Sequence, residues 1–134
     1  MAAETTLFAV AAIGLLTVAL SMLMIASPAA MSRAILAFGN KPHFHAAEIV
    51  NRLVLGAVLV ACASQTLHPR AMAAFGHVLV AVGAGLVVLG PTRHRAFAVK
   101  SATFTSVFRP AGFASLAFGV FVIYSALGSL LLEA

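Results

Sequence analysis

Three polar side chains stand together where the chain is otherwise apolar: Glu48, Asn51 and Arg52. Spacings of three and four residues put them on one face of a helix, and Glu ahead of Arg at i,i+4 is the favourable order for an ion pair. At 1.5 Å per residue, Arg52 lies only about 9 Å along such a helix from Ala46, close enough to reach the interface. Ionisable groups inside an apolar span mark candidate sites. This one is suited to gripping a lipid headgroup, a quinone or a neighbouring subunit. The plainer reading is a self-neutralised pair that sets the depth of its helix.

Histidines are the second chemically capable set. His43, His45 and His94, with Glu48 nearby in sequence, offer imidazole and carboxylate ligands of the kind divalent metals accept. A His-x-His pair is a low-specificity signal, and interfacial histidine is the commoner role. Haem held by two imidazoles needs one from each side of the iron. His77 falls inside an apolar stretch with no second histidine at matching depth. No cofactor is indicated. Catalytic patterns are missing as well: the chain has no Asp, one cysteine (Cys62, read as a small packing residue), no phosphate-binding glycine loop, no His-Glu-x-x-His and no Gly-x-Ser-x-Gly. Catalysis is not expected.

Small residues form a third pattern. Gly56, Ala57 and Ala61 recur in one apolar stretch, Ala81 and Gly85 in another, and Ala111, Ser115 and Gly119 in a third. Such seams let membrane helices approach closely, so they predict packing within a bundle or against another subunit.

The elements that must carry these residues follow from composition. The 134-residue chain is 63% hydrophobic and 8% charged, with a mean hydropathy of +1.11. Soluble domains carry roughly 25% charged residues. Only three acids oppose eight bases, and the bases lie between apolar runs rather than on one polar face. Anionic headgroups are therefore the expected partners, and nucleic acid is not.

Four stretches reach the length of about 20 residues that crosses a bilayer: Thr5–Ala26, Ala46–Gln65, Ala71–Leu89 and Ala111–Leu132. Without water to satisfy the backbone each must be helical, so the fold class is an all-α membrane bundle of four helices in one domain. The first stretch opens with Glu4 and no base, unlike a secretory signal, and is read as a retained helix. Arg33 and Lys41 in one connection, and Arg93, Arg95, Lys100 and Arg109 in the other, lie on one side, with Arg52 near the same interface. Arg70 stands alone opposite. Seven bases against one orient the bundle with both long connections cytoplasmic and both termini outside, as expected of a bacterial inner-membrane protein.

Both connections carry structure signals. Met31, Ala34, Ile35 and Phe38 recur at helical spacing between Pro28 and Gly39-Asn40, and Phe97, Phe104 and Phe108 share a face after Pro91. Basic amphipathic segments of this type lie in the headgroup layer. An offset of 63 residues also aligns Pro28 with Pro91 and Gly56 with Gly119. That suggests a weak repeat of residues 7–65 in residues 70–128, as tandem helical hairpins.

The leading functional expectation is a non-catalytic accessory or structural subunit, within a larger membrane complex or a homo-oligomer. A small oligomeric transporter or channel lined by Glu48, Asn51 and Arg52 is the alternative. A cytoplasmic-face enzyme acting on lipid or quinone comes third.

Overall fold

The computed structural model describes residues 2–133, and they form six α-helices with no strand among them. Four helices are long and apolar enough to cross a membrane: α1 (Ala2–Ala26), α3 (Phe44–Cys62, prolonged by a 3-10 turn at Ala63–Gln65), α4 (Pro69–Leu89) and α6 (Thr105–Glu133). Two shorter ones, α2 (Pro28–Gly39) and α5 (Pro91–Ala102), fill the basic connections. The chain is an all-α four-span integral membrane protein.

Local sequence accounts for the breaks. One residue separates α1 from α2, and its Ser27 hydroxyl accepts a hydrogen bond from Ala30 N at 3.2 Å, capping a helix that begins with Pro28. At the equivalent junction Gly90 turns the chain with φ +83°, a conformation open mainly to glycine, and Pro91 again opens the next helix. The last helix begins six residues before the expected apolar span and contains Pro110 in its second turn. A proline there removes one hydrogen bond near the helix start, where the loss is most easily borne.

The spans pair as α1 with α6 and α3 with α4. Each pair crosses where two glycines bring the backbones together. A Cβ on Gly56 would come within 2.6 Å of Gly76 O and 2.8 Å of Val80 Cγ2, and one on Gly76 within 2.7 Å of Gly56 O and 2.6 Å of Val60 Cγ2. The other pair repeats this contact set. A Cβ on Gly119 would meet Gly14 O at 3.0 Å and Val18 Cγ2 at 2.9 Å, and one on Gly14 would meet Gly119 O at 2.9 Å and Ile123 Cγ1 at 2.7 Å. Neither approach admits a side chain without moving backbone.

Two layers hold the pairs together. At the end bearing the termini, Leu7, Val10, Leu59, Met72 and Val122 form an apolar core drawn from all four spans. There the turn between α3 and α4 is latched to α6: Leu67 N donates to Ser125 O at 2.9 Å, and His68 N donates to Ser125 Oγ at 3.1 Å. At the opposite, basic end α2 packs on α5, where Ser32 Oγ donates to Ala102 O at 2.7 Å. Arg95 reaches Lys41 O at 3.2 Å, and Arg109 Nε donates to Ile25 O at 3.2 Å, near the last carbonyls of α1. A cation at a helix C-terminus complements its dipole.

Candidate functional site

The basic end gathers the chemically capable residues. Helix α3 presents His45, Glu48 and Arg52 on successive turns, and α5 lays His94 across them. Arg52 Nη2 donates to Glu48 Oε2 at 2.6 Å. His45 Nδ1 and His94 Nδ1 stand 3.0 Å apart, a hydrogen bond in which one ring donates and the other accepts. His94 is buried and stacks on Phe44, with ring centroids 4.5 Å apart and planes 22° from parallel. Phe38 meets the edge of Phe44 at 5.1 Å.

These contacts set the charge of the site. Burial is the main force lowering the His94 pKa below its ordinary value, aided by His45; Glu48 pulls upward, and Arg52 adds to the lowering. Glu48 meanwhile neutralises Arg52. The site is therefore close to neutral overall while rich in polar atoms.

A cavity of about 200 Å³ opens between α2, α3 and α5, with Glu48, Arg52 and His94 on its polar side and Phe38, Phe97 and Ser101 among its other walls. Arg52 Nε is buried and meets no hydrogen-bond acceptor among the described residues. Buried donors normally find partners, so this unpaired N–H is an exception among the described residues. Next to this cavity, with Phe97 and Ser101 as shared wall, lies an apolar groove of about 470 Å³ lined by Phe104, Val107 and Phe108, with Lys100 at its margin.

Not every expected residue joins the site. Asn51, predicted to share a face with Glu48 and Arg52, is exposed on the outside of α3. His43 precedes the first turn of α3 without a side-chain capping bond and is exposed, so of the three candidate metal-binding histidines only His45 and His94 meet. Among the described residues no three His, Cys, Asp or Glu side chains converge as a metal site. Arg33, Lys41, Arg93, Arg95, Lys100 and Arg109 are all exposed at the basic end. His68 and Ser125 form an unexpected pair at the other end, with Nδ1 3.2 Å from Oγ. Ser125 is wholly buried and its hydroxyl accepts the His68 backbone N–H, so the pair is a latch rather than a nucleophile and base.

The small-residue seams divide into two kinds. Gly56 and Gly119 are consumed inside the chain, against Gly76 and Gly14. On α6 the tight contact runs through Gly112 and Gly119, with Ala111 and Ser115 half-buried beside it. Ala57, Ala61, Ala81 and Gly85 point outward, and a Cβ on Gly85 would meet nothing within 4 Å. Sequence reasoning missed Gly14, Gly76 and Gly112 and the phenylalanine walls of the cavity. The signal for Gly76 was present, because it follows Gly14 by 62 residues, one short of the offset that relates the later elements.

Fold and site together define a four-span helical membrane protein with a polar cluster at one membrane boundary. Compared with protein-family models, curated proteins and solved structures, the chain matches none.

Proposed function

We propose that this is a non-catalytic membrane protein that works as a homo-oligomer, with α2 and α5 on the cytoplasmic face of a bacterial inner membrane and both termini outside. The observation that carries the reading is the outward seam His77, Ala81 and Gly85 along α4, beside Ala57 and Ala61 on α3. Only 17% of the α4 span window is buried within the chain, the least of the four, so this helix has the most surface free for a neighbour. Small residues permit close helix contact, and the exposed imidazole of His77 is costly in hydrocarbon unless another helix meets it. The His77 Nδ1 already bonds Ala73 O at 2.6 Å, which leaves Nε2 to face outward as an acceptor. The cytoplasmic placement of α2 and α5 rests on the seven-to-one distribution of bases.

Particle mass in lipid nanodiscs or mild detergent tests the reading. More than one copy per particle is expected, with Gly85→Leu and Ala61→Leu shifting it toward one copy. A single copy per particle in every mild condition removes the proposal. The transporter alternative gains no support within one chain, because the apolar core of Leu7, Val10, Leu59, Met72 and Val122 blocks a polar route from the site to the other end.

A further inference from the structure

The cavity at the basic end has features that a packing defect lacks. Its polar side carries two groups able to donate hydrogen bonds, the guanidinium of Arg52 and the imidazole of His94. Where the bridging proton sits on His45 Nδ1, His94 carries its own proton on Nε2 and acts as a donor. The remaining wall is largely aromatic and aliphatic, and the adjoining groove is almost wholly apolar. Cavity and groove together fall in the range of about 300–1,000 Å³ typical of small-molecule sites. They form a polar pocket side by side with an apolar trough, sharing Phe97 and Ser101, which suits an amphiphile.

Charge narrows the choice of amphiphile. Arg52 is already matched by Glu48 at 2.6 Å, so an anionic headgroup would have to displace or crowd a carboxylate. A neutral oxygen acceptor meets no such opposition and can still accept from the guanidinium where it lines the cavity. Phe38 and Phe97 stand as walls against which a flat ring can lie. Phe97 and Phe104 are 67% and 51% exposed, which leaves the groove accessible to a chain entering from the bilayer.

We propose that this cavity is the head pocket for a lipid-soluble quinone. The ring carbonyls accept hydrogen bonds from the Arg52 guanidinium and His94, and the isoprenoid tail lies along Phe97, Phe104, Val107 and Phe108. The assignment is to binding, and it is independent of whether the chain assembles with a second copy.

The full chain in nanodiscs of zwitterionic lipid, titrated with decylubiquinone and assayed for bound quinone by its ultraviolet absorbance, tests this. Saturable binding of one quinone per chain is expected. Arg52→Gln should weaken it by about tenfold or more, the loss of one hydrogen bond from a charged donor. Because Arg52→Gln also breaks an ion pair, Ser101→Leu serves as a second variant. It fills space at the wall shared by cavity and groove, leaves Glu48 and Arg52 intact, and should likewise weaken binding by about tenfold or more. Arg33→Gln, at an exposed base that lines neither cavity nor groove, should have little effect. Uptake no greater than in empty nanodiscs overturns the assignment, as does wild-type binding by both Arg52→Gln and Ser101→Leu. Displacement of the quinone by added phosphatidylglycerol also overturns it, because the pocket then takes an anionic headgroup.

Discussion

His45 and His94 face each other through their Nδ1 atoms at 3.0 Å, so one bridging proton joins α3 to α5 and a second would set two N–H donors face to face. Burial, with the field of His45 and Arg52, lowers the His94 pKa, against an upward pull from Glu48. A histidine whose folded pKa is depressed binds fewer protons folded than unfolded, so stability falls as pH drops below its ordinary pKa of about 6.5. The protection factors of α5 amides, with the intrinsic pH dependence of exchange divided out, should therefore fall as pH drops from about 6.5 toward the depressed value. His94→Gln should flatten that dependence. Protection factors independent of pH in the wild type would show that the pair does not control the α3–α5 contact.

Glycine substitutions should separate inner from outer seams. Gly56→Ala forces a methyl group to within 2.6 Å of Gly76 O, a backbone atom that cannot swing aside. Overpacking of this sort costs roughly 1–3 kcal/mol. Gly85→Ala meets open space and should be neutral or stabilise the single chain by about 0.5–1 kcal/mol, the ordinary helix preference for Ala over Gly. Unfolding in detergent titrations compares the two directly.

The Glu48–Arg52 pair should contribute little to stability despite its 2.6 Å length. Its side chains are 33% exposed for Arg52 and 21% for Glu48, and i,i+4 pairs with such access to solvent contribute about 1 kcal/mol at most. Glu48→Gln should thus leave the melting temperature nearly unchanged. It should also raise retention of anionic lipid during purification, because it frees the Arg52 charge. A large loss of stability would mark the pair as structural rather than as part of a binding site.

Ser125→Ala removes the acceptor of the His68 N–H and should cost about 1 kcal/mol. The effect should be local. Exchange at His68 should speed up, whereas Thr66 N, which donates to Ala63 O, should stay protected.

Orientation is open to chemical test. Single cysteines placed at Asn40 and at Thr103 in a Cys62→Ala background should be labelled only from the cytoplasmic side, and one at Arg70 only from outside. Asn40 and Thr103 lie at the basic end and Arg70 lies in the first turn of α4 at the other. The reverse pattern refutes the cytoplasmic placement of α2 and α5.

Sequence by itself determined the four spans, their helical state, the common end shared by Pro28–Gly39 and Pro91–Ala102, and the i,i+4 pairing of Glu48 with Arg52. These follow from local rules: apolar length against bilayer thickness, proline and glycine punctuation, and helical periodicity. It could not choose which spans would pair, because in a chain this apolar every helix offers an acceptable face to its neighbours and to lipid alike. Tertiary structure made that choice by setting Gly56 against Gly76 and Gly14 against Gly119, where backbone contact replaces side-chain packing. The same folding turned Asn51 and Gly85 outward and brought His94 to His45 across 49 residues of chain. Periodicity places residues on a face of their own helix; only the packing of α5 on α2 and α3 decided which of those faces would meet around a cavity.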